Sequence, residues 1–189
     1  MLAFAWPSAH AQDANIRLRG TIAAFDGKAL VVKSRDGGVT LVLPEKTEVV
    51  ATKAIRLADI KPGDGVGIGA TRRADGTLVA VQVQVFAPER GIPNPGHRAW
   101  DMGEDSTMTN APVTSVVQAA KGRELTLTYK GGSQKIIADE GAAIFTVVPA
   151  EASALAPGDT VFITGKAGAD GKPATLRILV GKDGVKLPL

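Results

Sequence analysis

Cysteine is absent from the 189 residues. Disulfides, thiolate metal sites and a cysteine nucleophile are therefore excluded, and the fold must rest on packed apolar side chains. Aromatic residues are few, 5 Phe, 2 Trp and 1 Tyr, and no segment presents several together. A stacking platform for single-stranded nucleic acid is not expected from so sparse a set. Charge of one sign is also missing in any quantity. The 22 Lys/Arg and 19 Asp/Glu leave a net +3, with no strongly basic segment, so a nucleic-acid partner is not expected. No apolar run approaches the ~20 residues of a membrane-spanning helix.

Glycine and proline are plentiful, at 22 and 11, and they punctuate short apolar runs. That pattern predicts many turns and short strands. At the N-terminus, Leu2-Ala3-Phe4-Ala5-Trp6 is apolar, and Ala9-His10-Ala11 fits the small-x-small cleavage rule with Gln12 as the mature start. Residues 1–11 are read as the end of a signal peptide, and the mature chain is expected to be periplasmic or secreted.

The main organising signal is repetition. Pro62-Gly63-Asp64 returns as Pro157-Gly158-Asp159, 95 residues on, and one ungapped shift relates the halves. The same offset joins Gly27 to Gly122, Leu30 to Leu125, Gly37 to Gly132 and Glu45 to Glu140. It also joins Val66 to Val161, Ile68 to Ile163, Asp75-Gly76 to Asp170-Gly171, and Val85 to Val180. A single register over this span indicates an internal duplication.

Each copy reads as five short strands. In the first they are Ile16–Ala24, Ala29–Lys33, Val39–Leu43, Gly65–Ala70 and Leu78–Phe86. Asp-Gly pairs divide them, as hairpins require. In the last strand Val79, Val81, Val83 and Val85 are expected to share one face. Lys53–Ile60 predicts a short helix or helical turn between strands three and four, ended by Pro-Gly; its counterpart is Glu151–Leu155. This plan is that of an OB barrel, with an SH3-like barrel as competitor. The expected fold is all-β: two tandem five-stranded OB-like barrels over 16–86 and 111–189, joined by 87–110.

The motifs Gly20-Thr21-Ile22, Leu57-x-Asp59-Ile60-Lys61-Pro62-Gly63-Asp64-x-Val66 and Asp75-Gly76-x-Leu78-x-Ala80 resemble an OB-like secreted bacterial domain of unknown function, often found in tandem. The resemblance implies the fold and names no ligand. Some similar chains carry the label of a metal-transport permease, but no spanning segment is present here to support one.

Residues 87–110 show no helix or strand period, yet they gather rare residue types: His97, Trp100, Met102 and Met108. Connections this long are usually functional or disordered. The candidate ligand-binding residues are His97, Arg98, Trp100, Asp101 and Asn110. A metal reading takes His97, Met102 and Met108 as copper ligands, or His97 with Asp101, Glu104 and Asp105 as zinc ligands. The competing reading is a packed linker, in which Trp100 and Met102 fill a groove between barrels and His97-Arg98 hydrogen-bond backbone.

Catalytic signatures are missing. Gly63-Asp64-Gly65-Val66-Gly67-Ile68-Gly69 enters a strand rather than a helix, so it is no phosphate loop; its glycines are read as relief for crowding at a bend. No Gly-x-Ser-x-Gly elbow exists, and Asp139-Glu140 reads as solvated turn acids. The expectation is a non-catalytic extracytoplasmic binding or scaffolding protein, with an envelope protein, a glycan or a small ligand as partner. A copper- or zinc-binding accessory and an oligonucleotide binder are the alternatives.

Overall fold

Asp-Gly and Pro-Gly corners between β-branched runs leave this chain little option but strands. The computed structural model describes residues 15–120, 122–139, 141–168 and 172–189. The leader residues 1–11, Glu140 and the Asp170-Gly171 turn lie outside them. In chain order the strands are β1 (Asn15–Phe25), β2 (Ala29–Ser34), β3 (Gly37–Val42), β4 (Glu48–Ala54), β5 (Gly65–Arg72) and β6 (Leu78–Val85). After them come β7 (Gly96–Ala99), β8 (Ser106–Gln118), β9 (Arg123–Tyr129), β10 (Gly132–Ala138), β11 (Ala143–Ala150), β12 (Thr160–Ala167) and β13 (Pro173–Val180). Among the described residues the only helical pieces are three-residue 3-10 turns, including Leu57–Asp59 and Ala152–Ala154.

The halves do not fold separately. β8, β9 and β10 of the second half form a meander. It is closed into a barrel by β5 and β6 of the first half, through β5–β8, β5–β6 and a parallel β6–β10 ladder. Reciprocally, β1, β2 and β3 of the first half pair with β12 and β13 of the second, through β1–β12 and β12–β13. This second group stays open, because no ladder joins β3 to β13 among the described residues. The expectation of one self-contained barrel per half is thus corrected. Local pattern sets which residues form strands, but it does not set which copy supplies the partner.

Two cores follow this exchange. The closed barrel buries Val66, Ile68 and Val83 with Val113, Leu125, Leu127 and Ile136. The second group buries Ile22, Leu30 and Val32 with Val161, Ile163, Leu176 and Ile178. Each mixes side chains from both halves, so neither half holds a complete core.

The corners show the exchange directly. Gly63 N–H donates to Val113 O (2.9 Å), and Val113 N–H to Asp64 O (2.8 Å). Gly158 N–H donates to Ile22 O (2.8 Å), and Ile22 N–H to Asp159 O (2.8 Å). The two Pro-Gly-Asp corners therefore occupy like places, each against the first strand of the other copy. These bonds also correct the register. Ile22 matches Val113, an offset of 91, while Leu30 and Leu125 keep the offset of 95. The first hairpin of the second copy is four residues longer between these matched positions, so one ungapped shift does not cover β1.

β4 and β11 were not expected as strands. They pair antiparallel where the chain crosses between groups, with Thr52 opposite Val147. Those two positions are 95 residues apart, so a pseudo-twofold axis passes through this pair. Thr52 is 2 % exposed, and its hydroxyl accepts from Lys182 N–H (2.7 Å) and donates to Lys182 O (2.8 Å). Around it Val50, Phe145, Leu179 and Leu187 form a third, smaller core.

Two further expectations change. The predicted helix Lys53–Ile60 is the end of β4 followed by the short 3-10 turn, because Thr52 and Lys53 are held by pairing with β11. The valines of β6 do not share one face throughout. A bulge opposite Gly69/Ala70 inserts Val81, so Leu78 and Ala80 point into the core before it and Val83 after it.

Candidate functional site

The segment 87–110 is more structured than its sequence suggests. It contains β7, which pairs with β8 through Gly96↔Asn110, His97↔Thr109, Arg98↔Met108 and Ala99↔Thr107. β8 itself begins at Ser106. Ser106 is 2 % exposed and ties the turn between them: Trp100 N–H donates to its carbonyl (3.0 Å) and Met102 N–H to its hydroxyl (3.2 Å). The Asn110 amide donates to Pro93 O (2.6 Å), and Arg98 Nη1 to Asn94 O (3.0 Å).

β5 is shaped to receive this segment. Its glycines alternate along one face, and each lies under a side chain. A Cβ on Gly65 would meet Ile92 at 2.8 Å, one on Gly67 would meet Phe86 at 2.8 Å, and one on Gly69 would meet the Trp100 ring at 2.5 Å. The glycines therefore make a flat bed for the connection. This replaces the bend expected from sequence as their main reason, although a bulge does fall at Gly69/Ala70.

Above that bed lies a cleft of about 630 Å³ between the two strand groups. Arg98, Trp100, Asp101 and Asn110, all singled out from sequence, line it. His97 does not. Cross-strand neighbours share a face and successive residues alternate, so His97 lies with Thr109 on the far side from Arg98 and Met108. There its Nδ1 is 2.8 Å from Thr109 Oγ1 and its ring stacks on Tyr129 at 6.3 Å. Burial pulls its pKa below the ordinary value, and Arg72 adds to this.

The same alternation separates the candidate metal ligands. Met108 lines the cleft, Met102 lines a neighbouring recess with Arg17, Leu18 and Asp101, and His97 lies on the opposite face from Met108. Among the described residues no three His, Cys, Asp or Glu side chains gather where an ion could be held. The sets of the alternative metal reading are not brought together: His97 and Met108 lie on opposite faces of the β7–β8 pair, and the acidic residues of the turn form no cluster with His97 among the described residues.

The cleft holds functional groups that sequence reasoning missed. Arg17 and Arg19 come from β1, Arg90 from the turn after β6, and Arg177 from β13. Arg17 and Arg19 occupy the face of β1 opposite its core residues Ile16, Leu18 and Ile22, so their alternation was a readable signal. Arg19 is the most enclosed, with its side chain 13 % exposed. Its guanidinium lies 3.9 Å from the centroid of the Phe162 ring and 5.3 Å from that of Trp100. Such contacts contribute about 0.5–2 kcal/mol each.

Asp101 accepts from Arg17 Nη2 (2.9 Å), Arg17 Nε (3.0 Å) and Arg19 Nη2 (3.0 Å). Burial raises the Asp101 pKa, but the hydrogen bonds from Arg17 and Arg19 outweigh it and hold the carboxyl below its ordinary value. Desolvation lowers Arg19, opposed by Asp101. Arg19 Nε and Asn110 Oδ1 are buried without a protein partner. Across the cleft, Arg177 (3.2 Å) and Arg90 (4.0 Å) converge on Glu48.

A family model described as a domain of unknown function (DUF5666) matches residues 19–84. The match runs from within β1 to within β6, whose strands serve two different groups here. No curated protein and no solved structure matches the chain. Among the described residues no helix is long and apolar enough to cross a membrane.

Proposed function

We propose that this chain is a non-catalytic binding protein of the cell envelope, built from one closed OB-like barrel and a second, open strand group, which takes its ligand in the cleft between them. The observation that carries the reading is convergence. Ten residues of the 87–110 connection and side chains of β1, β6, β11, β12 and β13 line a single concavity. A cleft of this size suits a small ligand. The order β8-β9-β10-β6-β5, closing back on β8, supports the OB assignment, since it is a five-stranded Greek-key barrel. The apolar leader and its small-residue cleavage pattern support export.

Oligonucleotide binding is less well supported. The Phe162 ring already carries the guanidinium groups of Arg17 and Arg19, and Trp100 is pressed onto Gly69. Neither ring offers a free face for a base.

A thermal-shift screen of small metabolites, glycans, copper and zinc tests the proposal. A true ligand at a hundredfold excess over Kd adds about 2.7 kcal/mol, or roughly 5–10 °C in Tm for a chain of this size. The shift should vanish in Arg98→Ala. Stabilising compounds that act equally on wild type and Arg98→Ala would place binding elsewhere.

A further inference from the structure

We infer that the cleft selects a small organic anion, an oxyanion group carried on an apolar body. The inference rests on the reading of the cleft as the binding site and adds the class of ligand. Its first support is charge. Five arginines line the cleft, and the carboxylates paired with them are Asp101 and Glu48. Arg17 and Arg19 share the first, Arg90 and Arg177 share the second, and among the described residues Arg98 meets only the Asn94 carbonyl. Among the described residues, five positive charges against two paired carboxylates leave an excess of three at this concavity. The whole chain carries only +3, so the charge excess of the molecule is matched by this one place.

The second support is the kind of cation. All five are arginines, whose planar fork presents paired N–H donors to a carboxylate or phosphate, where lysine would offer a point charge. The third is the wall between them. Phe86 and Val147 are half-buried there, and Leu179 and Leu187 close the floor. An inorganic ion would leave that apolar surface wet, and a neutral apolar molecule would leave the arginines unmet. A ligand with both parts satisfies both. Concavity favours a small molecule over a protein surface.

The test titrates ¹⁵N-labelled full-length protein with sodium benzoate, phenyl phosphate, benzyl alcohol and inorganic phosphate, following amide shifts. Benzoate, phenyl phosphate or both should move the amides of Gly67, Ala99 and Val147, and whichever binds tighter identifies the oxyanion. Benzyl alcohol and inorganic phosphate should bind at least tenfold more weakly. Arg98→Gln, an exposed position with little risk to folding, should weaken the anion about tenfold, the loss expected for one charge-assisted hydrogen bond. Benzyl alcohol binding as well as benzoate would overturn the anion selectivity while leaving the cleft as a site. Inorganic phosphate binding as well as phenyl phosphate would overturn the organic body. Binding of a hexaglutamate peptide where all four small molecules fail would replace the small ligand by an acidic chain. If no probe moves these amides while the thermal screen yields compounds dependent on Arg98, the ligand class is wrong and the site stands; if both fail, both readings fall.

Discussion

Replacing Gly69 by alanine tests how the connection is seated on β5. The added Cβ would lie 2.5, 2.7 and 2.9 Å from Cη2, Cζ3 and Cζ2 of Trp100. Carbon atoms pack best at about 3.5 Å or more, so the ring must retreat by roughly 1 Å. It has little room to do so. Trp100 is 8 % exposed, its other neighbour is the Arg19 guanidinium, and its backbone is held by Ser106. Overpacking of this kind costs about 1–3 kcal/mol. Taking ~2 kcal/mol as the centre, Tm should fall by about 4–8 °C in a chain of this length. Alanine is otherwise favoured over glycine inside a strand by ~0.5–1 kcal/mol. In a Trp100→Ala background the same change should therefore be neutral or mildly stabilising. Urea denaturation of the four proteins, followed by circular dichroism, gives the coupling, expected at about 2–3 kcal/mol. A coupling under ~0.5 kcal/mol would refute the claim that Gly69 exists to receive the indole.

Thr52→Val keeps the shape of a buried side chain but leaves Lys182 N–H without its acceptor, and should cost about 1–3 kcal/mol by urea denaturation. The first half expressed alone, residues 12–86, should form a homodimer in light scattering, exchanging β5 and β6 with a second copy; a stable, cooperatively folding monomer would show that exchange is dispensable. For His97 the folded pKa lies below its unfolded value, so the unfolded chain takes up the proton first. Its contribution to stability is full above the unfolded pKa of about 6.5 and declines as pH falls from there toward the folded value. Urea midpoints at pH 8 and pH 5.5 should differ in wild type, and the difference should shrink in His97→Gln.

The five strands expected in the first copy were legible to within a residue or two because their signals are local: Asp26-Gly27, Asp36-Gly37 and Asp75-Gly76 break the chain, and alternation does the rest. The exchange was not legible. Val66 packs as well against Val113 as it would against Ile22, and nothing in either sequence distinguishes the two copies as partners. β4 was hidden because Val49, Val50, Ala51 and Thr52 are buried in succession, which removes the alternation that reveals a strand. At the site, Trp100, Asp101, Arg98 and Asn110 stood out because they are unusual residues in an irregular segment. Arg17, Arg90 and Arg177 passed unnoticed because a single arginine on a strand or turn looks like any solvated residue until the fold brings the others opposite it. The metal set failed for the converse reason, since closeness in sequence says nothing of direction once a strand alternates its side chains.

The crossing at β4 and β11 has a mechanical effect on the cleft. Each strand group holds a hairpin that belongs, by chain connection, to the other, so the walls cannot swing apart as two domains on a hinge would without tearing open both cores. If the cleft takes a ligand as proposed, entry would depend on side chains and on the rim around Arg90 and Arg98 rather than on the opening of two domains.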